Sequence, residues 1–143
     1  CLHARQYHLQ ADRTHFISII DNLLDNAIKY SPASPEVTIS TANEKDGIII
    51  SVADKGMGIS AENQQNIFRR FYRVHTGNIH NIKGFGLGLF YVKTMVEAHG
   101  GSVRISSELN KGSRFDLFFP FDHVKTTPNE IKEKESSNKD TAG

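Results

Sequence analysis

Asn22, Asn26 and Lys29 are spaced by four and three residues. On a helix that spacing puts them within about 60° of one another on one face. Two asparagines one turn apart are poor helix formers, and Glu or Lys would serve solubility better. Their side-chain carbonyls are hard oxygen donors of the kind Mg²⁺ accepts, since it keeps several waters and takes one or two protein ligands beside phosphate oxygens. Lys29 adds a point charge for phosphate. Two readings stay open for this stripe, a solvated helix face and a metal–phosphate face.

Two further groups could meet such a ligand. Asp54-Lys55-Gly56-Met57-Gly58-Ile59 follows an apolar run. A carboxylate leaving a strand there can accept a hydrogen bond from an exocyclic amine, and the glycines let a flat ring approach the backbone. An ordinary turn after a strand accounts for the same residues. Lys83-Gly84-Phe85-Gly86-Leu87-Gly88-Leu89 places three glycines at alternate positions before an apolar-periodic segment. Glycine lets backbone come close to an anion, and a helix start supplies unpaired N–H groups and a positive dipole end. That is a phosphate seat. In Ile67-Phe68-Arg69-Arg70-Phe71-Tyr72-Arg73 the aromatics fit packing. The arginines fit either surface charge or donors to a terminal phosphate.

These groups must be held by definite elements. Asp12 is a suitable N-cap for a helix whose apolar residues Phe16, Ile19, Ile20, Leu23, Leu24, Ala27 and Ile28 fall at helical spacing. The prolines at 32 and 35 stop it. Val37–Ser40 and Ile48–Ala53 read as strands joined by a hairpin loop at Asn43–Gly47. Ser60 caps a predicted helix Ala61–Tyr72, and Val74–Lys83 lacks periodicity and reads as a loop. A helix Leu87–His99 ends at Gly100-Gly101. Strands Val103–Ser107 and Arg114–Phe119 are joined by a second hairpin at Asn110-Lys111-Gly112. This order predicts an α+β fold: a two-layer α/β sandwich with a mixed, mostly antiparallel sheet, covered on one face by about three helices.

The chain has 143 residues, 38% hydrophobic and 23% charged, with a net charge of +1. One sizeable core fits this length, and no global field draws nucleic acid or anionic lipid. A single cysteine, Cys1, excludes an internal disulfide and agrees with a reducing, cytoplasmic setting. No run approaches the ~18 apolar residues of a membrane span. Residues 1–122 are expected to form the domain. Residues 123–143, dominated by charged and small polar types, are expected to be a disordered tail.

Asn22–Ser31 resembles the N box of the sensor histidine kinase catalytic domain. That domain belongs to the GHKL superfamily, with gyrase-type topoisomerases, heat-shock chaperone ATPases and mismatch-repair ATPases. Asp54–Ile59 resembles its first glycine box, Ile67–Arg73 its F box and Lys83–Leu89 its second glycine box. Ser107 with Gly112-Ser113-Arg114-Phe115 resembles its last glycine motif. The likeness runs from about Leu9 to Pro120 in the family's order, so the N-terminal edge of the domain is expected to be truncated.

The resemblance implies a Bergerat-type sandwich that binds Mg-ATP. It gives Asn26 as the Mg²⁺ ligand with Asn22 in support, and places Lys29 and Tyr30 near phosphates and ribose. Asp54 would read the adenine amine, with Gly56 in its motif, Gly58 and Ile59 lining the ring and Ser113 at its far edge through water. Arg73 would reach the γ-phosphate. Lys83, Gly84, Gly86, Leu87 and Gly88 would wrap the phosphates, and Val74–Lys83 would be an ATP lid.

Two departures stand out. Phe85 occupies a place where the family commonly has a small residue. None of His3, His8, His15, His75, His80, His99 and His123 has the context of the family's phosphoaccepting histidine. Hydrolysing branches carry a glutamate one turn before the metal-binding asparagine, and here that place is Asn22, which cannot take a proton. The implied activity is therefore transfer of the γ-phosphoryl group to a histidine on a separate dimerisation and phosphoacceptor domain, and from there to a response regulator. The fragment is expected to be monomeric, and its parent a homodimer attached to the inner membrane. The alternatives are a nucleotide-binding scaffold without transfer activity and a serine kinase of the anti-sigma type.

Overall fold

The computed structural model describes residues 11–31, 33–75 and 84–121. Lys83, most of the expected lid and the C-terminal tail lie outside them. The first helix, α1 (Arg13–Lys29), starts where the Asp12 carboxylate accepts the His15 N–H at 2.9 Å. That backbone hydrogen bond, above all, holds the Asp12 carboxyl below its ordinary value. Ile19, Leu23 and Ala27 form the buried stripe of α1, one residue per turn, as the apolar spacing requires.

Strands β1 (Val37–Asn43) and β2 (Gly47–Asp54) form the first hairpin, and β3 (Ser102–Glu108) and β4 (Gly112–Pro120) the second. The sheet order is β1-β2-β4-β3, and every pairing among the described residues is antiparallel. This is the expected α+β sandwich with a mostly antiparallel sheet, and among the described residues the sheet has no parallel pair. The crossover from β2 leads to the far edge, and β4 then returns between β2 and β3. Two antiparallel hairpins are thereby zipped together at their centre.

Alternation places Ile48, Ile50 and Val52 of β2 and Phe115, Leu117 and Phe119 of β4 on the inner face. There they meet Ile19 and Leu23 of α1 and Val92 and Val96 of α3 (Gly88–Ala98). Each such side chain contributes about 1.5–3 kcal/mol on leaving water. The opposite face carries a polar network instead. The Ser51 hydroxyl donates to Asp116 at 2.5 Å, and Arg114 Nε donates to the same carboxylate oxygen at 2.8 Å.

The expected helix Ala61–Tyr72 is cut to α2 (Ala61–Gln64). Beyond it the chain winds in tighter turns, with Arg69 N–H donating to the Asn66 carbonyl and Tyr72 N–H to the Arg69 carbonyl. Phe71 then sits at φ 63°, a conformation that no helix contains. Three-residue turns bury Ile67 and half-bury Phe68 and Tyr72, so these side chains reach the core without a continuous helix.

Candidate functional site

One cavity of about 280 Å³ opens between the end of the sheet, α1 and the start of α3. The α1 stripe forms one wall, with Asn22, Asn26, Lys29 and Tyr30 all lining it. Burial of Leu23 and Ala27 against the sheet turns these polar residues toward the opening. Lys29 Nζ is paired with Asp25 at 2.6 Å, one turn back. Asn22 Nδ2 donates to the Ser18 carbonyl at 2.7 Å, so the side chain is anchored on its own helix.

The floor is the last rung of the sheet. Asp54 and Ser113 are register partners on β2 and β4, both on the inner face, where the core residues end and polar ones begin. The Gly56 N–H donates to Asp54 Oδ1 at 2.8 Å, which fixes the carboxylate. Gly56 itself is buried behind it and does not line the cavity. Gly58 and Ile59 do. Gly58 has φ 70°, and a Cβ there would strike the Glu108 carbonyl. The loop can therefore pass beneath the β3–β4 turn only with glycine at this point. The Asn110 N–H donates to the Met57 carbonyl at 2.7 Å and closes the layer.

The third wall is the glycine segment. Gly84, Phe85, Gly86, Leu87 and Gly88 line the cavity, and α3 begins at Gly88 with no side chain capping it. Its first bond runs from Tyr91 N–H to the Leu87 carbonyl at 2.8 Å. Amides of the first turn thus face the opening at the positive end of the helix. A Cβ on Gly84 would stand 3.8 Å from Lys29 Nζ, and one on Gly88 only 2.9 Å from Asn22 Oδ1. The glycine segment and the α1 stripe therefore face each other across a narrow gap. Phe85, in the unusual place noted above, is 83% exposed.

Arg73 and Tyr72 reach the cavity from the turns that follow α2. Tyr72 is held by its hydroxyl, which donates to Asn63 Oδ1 at 2.7 Å. Phe68 packs edge-on against Phe115 at 6.3 Å, and the Arg70 guanidinium lies 4.8 Å from the Phe90 ring. These contacts clamp the turns to the sheet and to α3. Phe68 and Tyr72 pack against the core while Phe71 is exposed, and Arg73 at the end of the segment reaches the cavity.

Every expected site residue that the structure describes, apart from Gly56, lines this one cavity. Sequence reasoning did not single out Met57, Tyr72 or Val74, which line it too. Met57 could have been found, since it lies inside the Asp54–Ile59 motif; Val74 offers no signal of its own. Among the described residues no cluster of His, Cys, Asp and Glu is set to hold a metal ion. The donor set is one of amide oxygens beside a phosphate seat. It fits a hard cation that arrives with phosphate oxygens and water, and does not fit a metal held by protein alone.

A fold with this sheet order, and a site with a carboxylate floor and a glycine-framed helix start, define a nucleotide-binding sandwich. Residues 11–123 match the family described as histidine kinase-, DNA gyrase B- and HSP90-like ATPase, and the chain belongs to that family. Within it the chain is a sensor histidine kinase catalytic domain. It is 46% identical over 112 residues to the sensor protein RprX of Bacteroides fragilis, covering 77% of this chain and 22% of that protein. It is 37% identical to the sensor histidine kinase WalK of Bacillus subtilis, covering 82% and 20%. The chain thus spans about a fifth of these relatives. Among solved structures, the mycobacterial sensor histidine kinase MprB superposes with a TM-score of 0.70 at 26% identity, covering 83% of this chain and 78% of that one. Full-length ShkA in complex with AMPPNP superposes with a TM-score of 0.70 at 27% identity, covering 84% and 24%.

Proposed function

We propose that this chain binds Mg-ATP in the cavity and presents the γ-phosphoryl group to a histidine of a separate dimerisation and phosphoacceptor domain. The observation that carries the reading is convergence. Asn26 on a helix, Asp54 at a strand's end and the Gly84–Gly88 segment are far apart in sequence and line one opening. Turn chemistry explains each alone and does not explain the meeting.

In this reading Asp54 accepts the exocyclic amine of adenine, and Gly58 and Ile59 give the ring a flat apolar bed. Asn26 is the protein's oxygen ligand to Mg²⁺, and Asn22 supports it while holding its own place on α1. Lys29 and Tyr30 lie toward phosphates and ribose, and Gly84, Gly86, Leu87 and Gly88 offer backbone N–H groups to phosphate oxygens. Arg73 supplies a charged donor for the terminal phosphate, and Lys83, outside the described residues, is proposed as a second charge for the phosphates. When bound, Mg²⁺ neutralises charge on the phosphate oxygens.

Phosphoryl transfer asks the protein chiefly to position groups and to balance charge. Asn22 cannot serve as a base toward water, so hydrolysis is disfavoured and the nucleophile comes from the acceptor. An imidazole nitrogen forms the new N–P bond while the bond to the leaving oxygen of the diphosphate breaks. The phosphoryl group would pass next to an aspartate of a response regulator. No described helix is long and apolar enough to cross a membrane; in this reading the domain works in the cytoplasm, in a homodimeric parent attached to the inner membrane.

Incubation of the chain with γ-labelled ATP and a purified dimeric acceptor domain tests this. Acid-labile label on the acceptor is expected, as for phosphohistidine. Acid-stable label would mean a serine kinase, and nucleotide binding without label would mean a scaffold.

A further inference from the structure

Behind the cavity floor lies a pair of serine hydroxyls tied to one backbone donor and one backbone acceptor. Ser107 on β3 is the register partner of Ser113 on β4. Ser113 lines the cavity and Ser107 does not. The Ile59 N–H donates to Ser107 Oγ at 2.8 Å, and Ser107 Oγ donates to the Gly112 carbonyl at 2.8 Å. A serine hydroxyl has one proton and two lone pairs. The Ile59 amide can only donate and the Gly112 carbonyl can only accept. Donation to the carbonyl uses the Ser107 proton, and the amide uses one of its lone pairs.

The remaining lone pair meets Ser113 Oγ at 2.9 Å. Either hydroxyl could donate across this contact, but all three contacts of Ser107 are hydrogen bonds together only when Ser113 gives its proton to Ser107 and keeps lone pairs for the cavity. Gln64 on α2 locks the arrangement, with Nε2 donating to the Ile59 carbonyl at 2.7 Å and the Ser107 carbonyl at 3.0 Å. Beside Ser113 stands Asp54, which as a carboxylate only accepts. Both polar side chains at this end of the sheet thus present acceptors. A water bridging them would spend both protons on them and likewise turn lone pairs to a ligand.

We propose that Ser107 is a positioning residue that sets the base selectivity of this pocket. By holding Ser113 as an acceptor, it makes the floor choose an exocyclic amine, as in adenine, and reject a carbonyl in the same place, as in guanine. The inference rests on the nucleotide-binding reading above and adds to it a residue that touches no ligand.

Calorimetric titration of Mg-ATP and Mg-GTP into the chain and its Ser107→Ala, Ser107→Thr and Ser113→Ala variants tests it, with circular dichroism melting as the control for folding. Ser107→Ala frees the Ser113 proton to turn toward the cavity. The ATP-to-GTP affinity ratio is expected to fall about tenfold, the scale of one hydrogen bond. Ser107→Thr keeps the hydroxyl and is expected to restore the ratio. Ser113→Ala is expected to lower it equally, with no further fall in the double variant. A purely structural Ser107 would weaken both nucleotides alike, and an unchanged ratio would overturn the proposal. Should Ser107→Ala fail to fold, an unchanged ratio in Ser113→Ala overturns it as well. Failure of the unmodified chain to bind either nucleotide would sink the nucleotide reading itself, and this inference with it.

Discussion

Asp54→Asn separates recognition from architecture at a single atom. In the native structure Oδ1 accepts the Gly56 N–H at 2.8 Å, leaving the other oxygen for the base. An asparagine keeps the first bond through its carbonyl and turns an NH₂ group toward the cavity. A donor then meets the donor amine of adenine. The loss is a hydrogen bond to a charged acceptor, about 1.5–3 kcal/mol, or roughly 10- to 150-fold in Kd. Stability should barely move, because the Gly56 turn is intact. Asp54→Ala has the same cavity defect, and it also strands the N–H of a buried glycine, which costs about 1–3 kcal/mol of folding stability. Titration calorimetry with Mg-ATP and thermal melts of both variants give the two readouts. An unchanged ATP affinity in Asp54→Asn would refute the placement of adenine on this floor. An equal fall in melting temperature for the two variants would refute the role given to the Gly56 bond.

Asn26→Ala should abolish the Mg²⁺ dependence of ATP binding without loss of helix stability, since alanine is the better helix former; titrations with and without Mg²⁺ check it. Gly86 has φ 71°, and a Cβ would stand 2.8 Å from the Phe71 carbonyl carbon and the Tyr72 carbonyl oxygen, so Gly86→Ala should cost about 1–3 kcal/mol in urea unfolding. Gly88→Ala pushes a methyl to 2.9 Å from Asn22 Oδ1; ATP should bind more weakly while adenosine binds as before in the same titration. The lowered Asp12 carboxyl, held mainly by the His15 N–H, adds stability above the ordinary carboxylate range that is lost as pH falls through the lowered value. Asp12→Asn should therefore melt earlier at neutral pH, and the difference should shrink in acid.

Long-range regularities were legible in the sequence, and short-range turns were not. The α1 helix could be read because Ile19, Leu23 and Ala27 recur once per turn between a cap and a proline. The hairpins could be read because Asn43–Gly47 and Asn110–Gly112 carry turn residues between alternating segments. The segment after α2 could not. Ile67, Phe68, Phe71 and Tyr72 satisfy a helical spacing and a chain of three-residue turns equally well, and only the contact of Phe68 with Phe115 and the bond from Tyr72 to Asn63 decide between them. Ser107 and Gln64 were hidden for another reason. They touch the site's backbone and not the cavity, and that arrangement needs β3 and β4 in register, which no local pattern specifies.

The two halves of the cavity are built in different ways, and this bears on how such a site can work. The end proposed to take the base is made from the sheet itself: Asp54, Ser113 and Ser107 occupy one rung across three strands, tied by Gly56, Ile59 and Gln64. Fixed dipoles of this kind discriminate without reorganising when a ligand arrives. The end proposed to take the phosphates is a gap between two separate elements, the α1 stripe and the glycine segment, which meet through Asn22 with Gly88 and Lys29 with Gly84. Little apolar burial bridges them there, since Leu87 and Phe85 are exposed, and segments with few buried contacts open at low cost. In the proposed reading a nucleotide is held while its terminal phosphate passes to a separate partner, and this asymmetry suits that task. Affinity can be anchored in the rigid sheet, while the reacting end stays adjustable to the acceptor that approaches it.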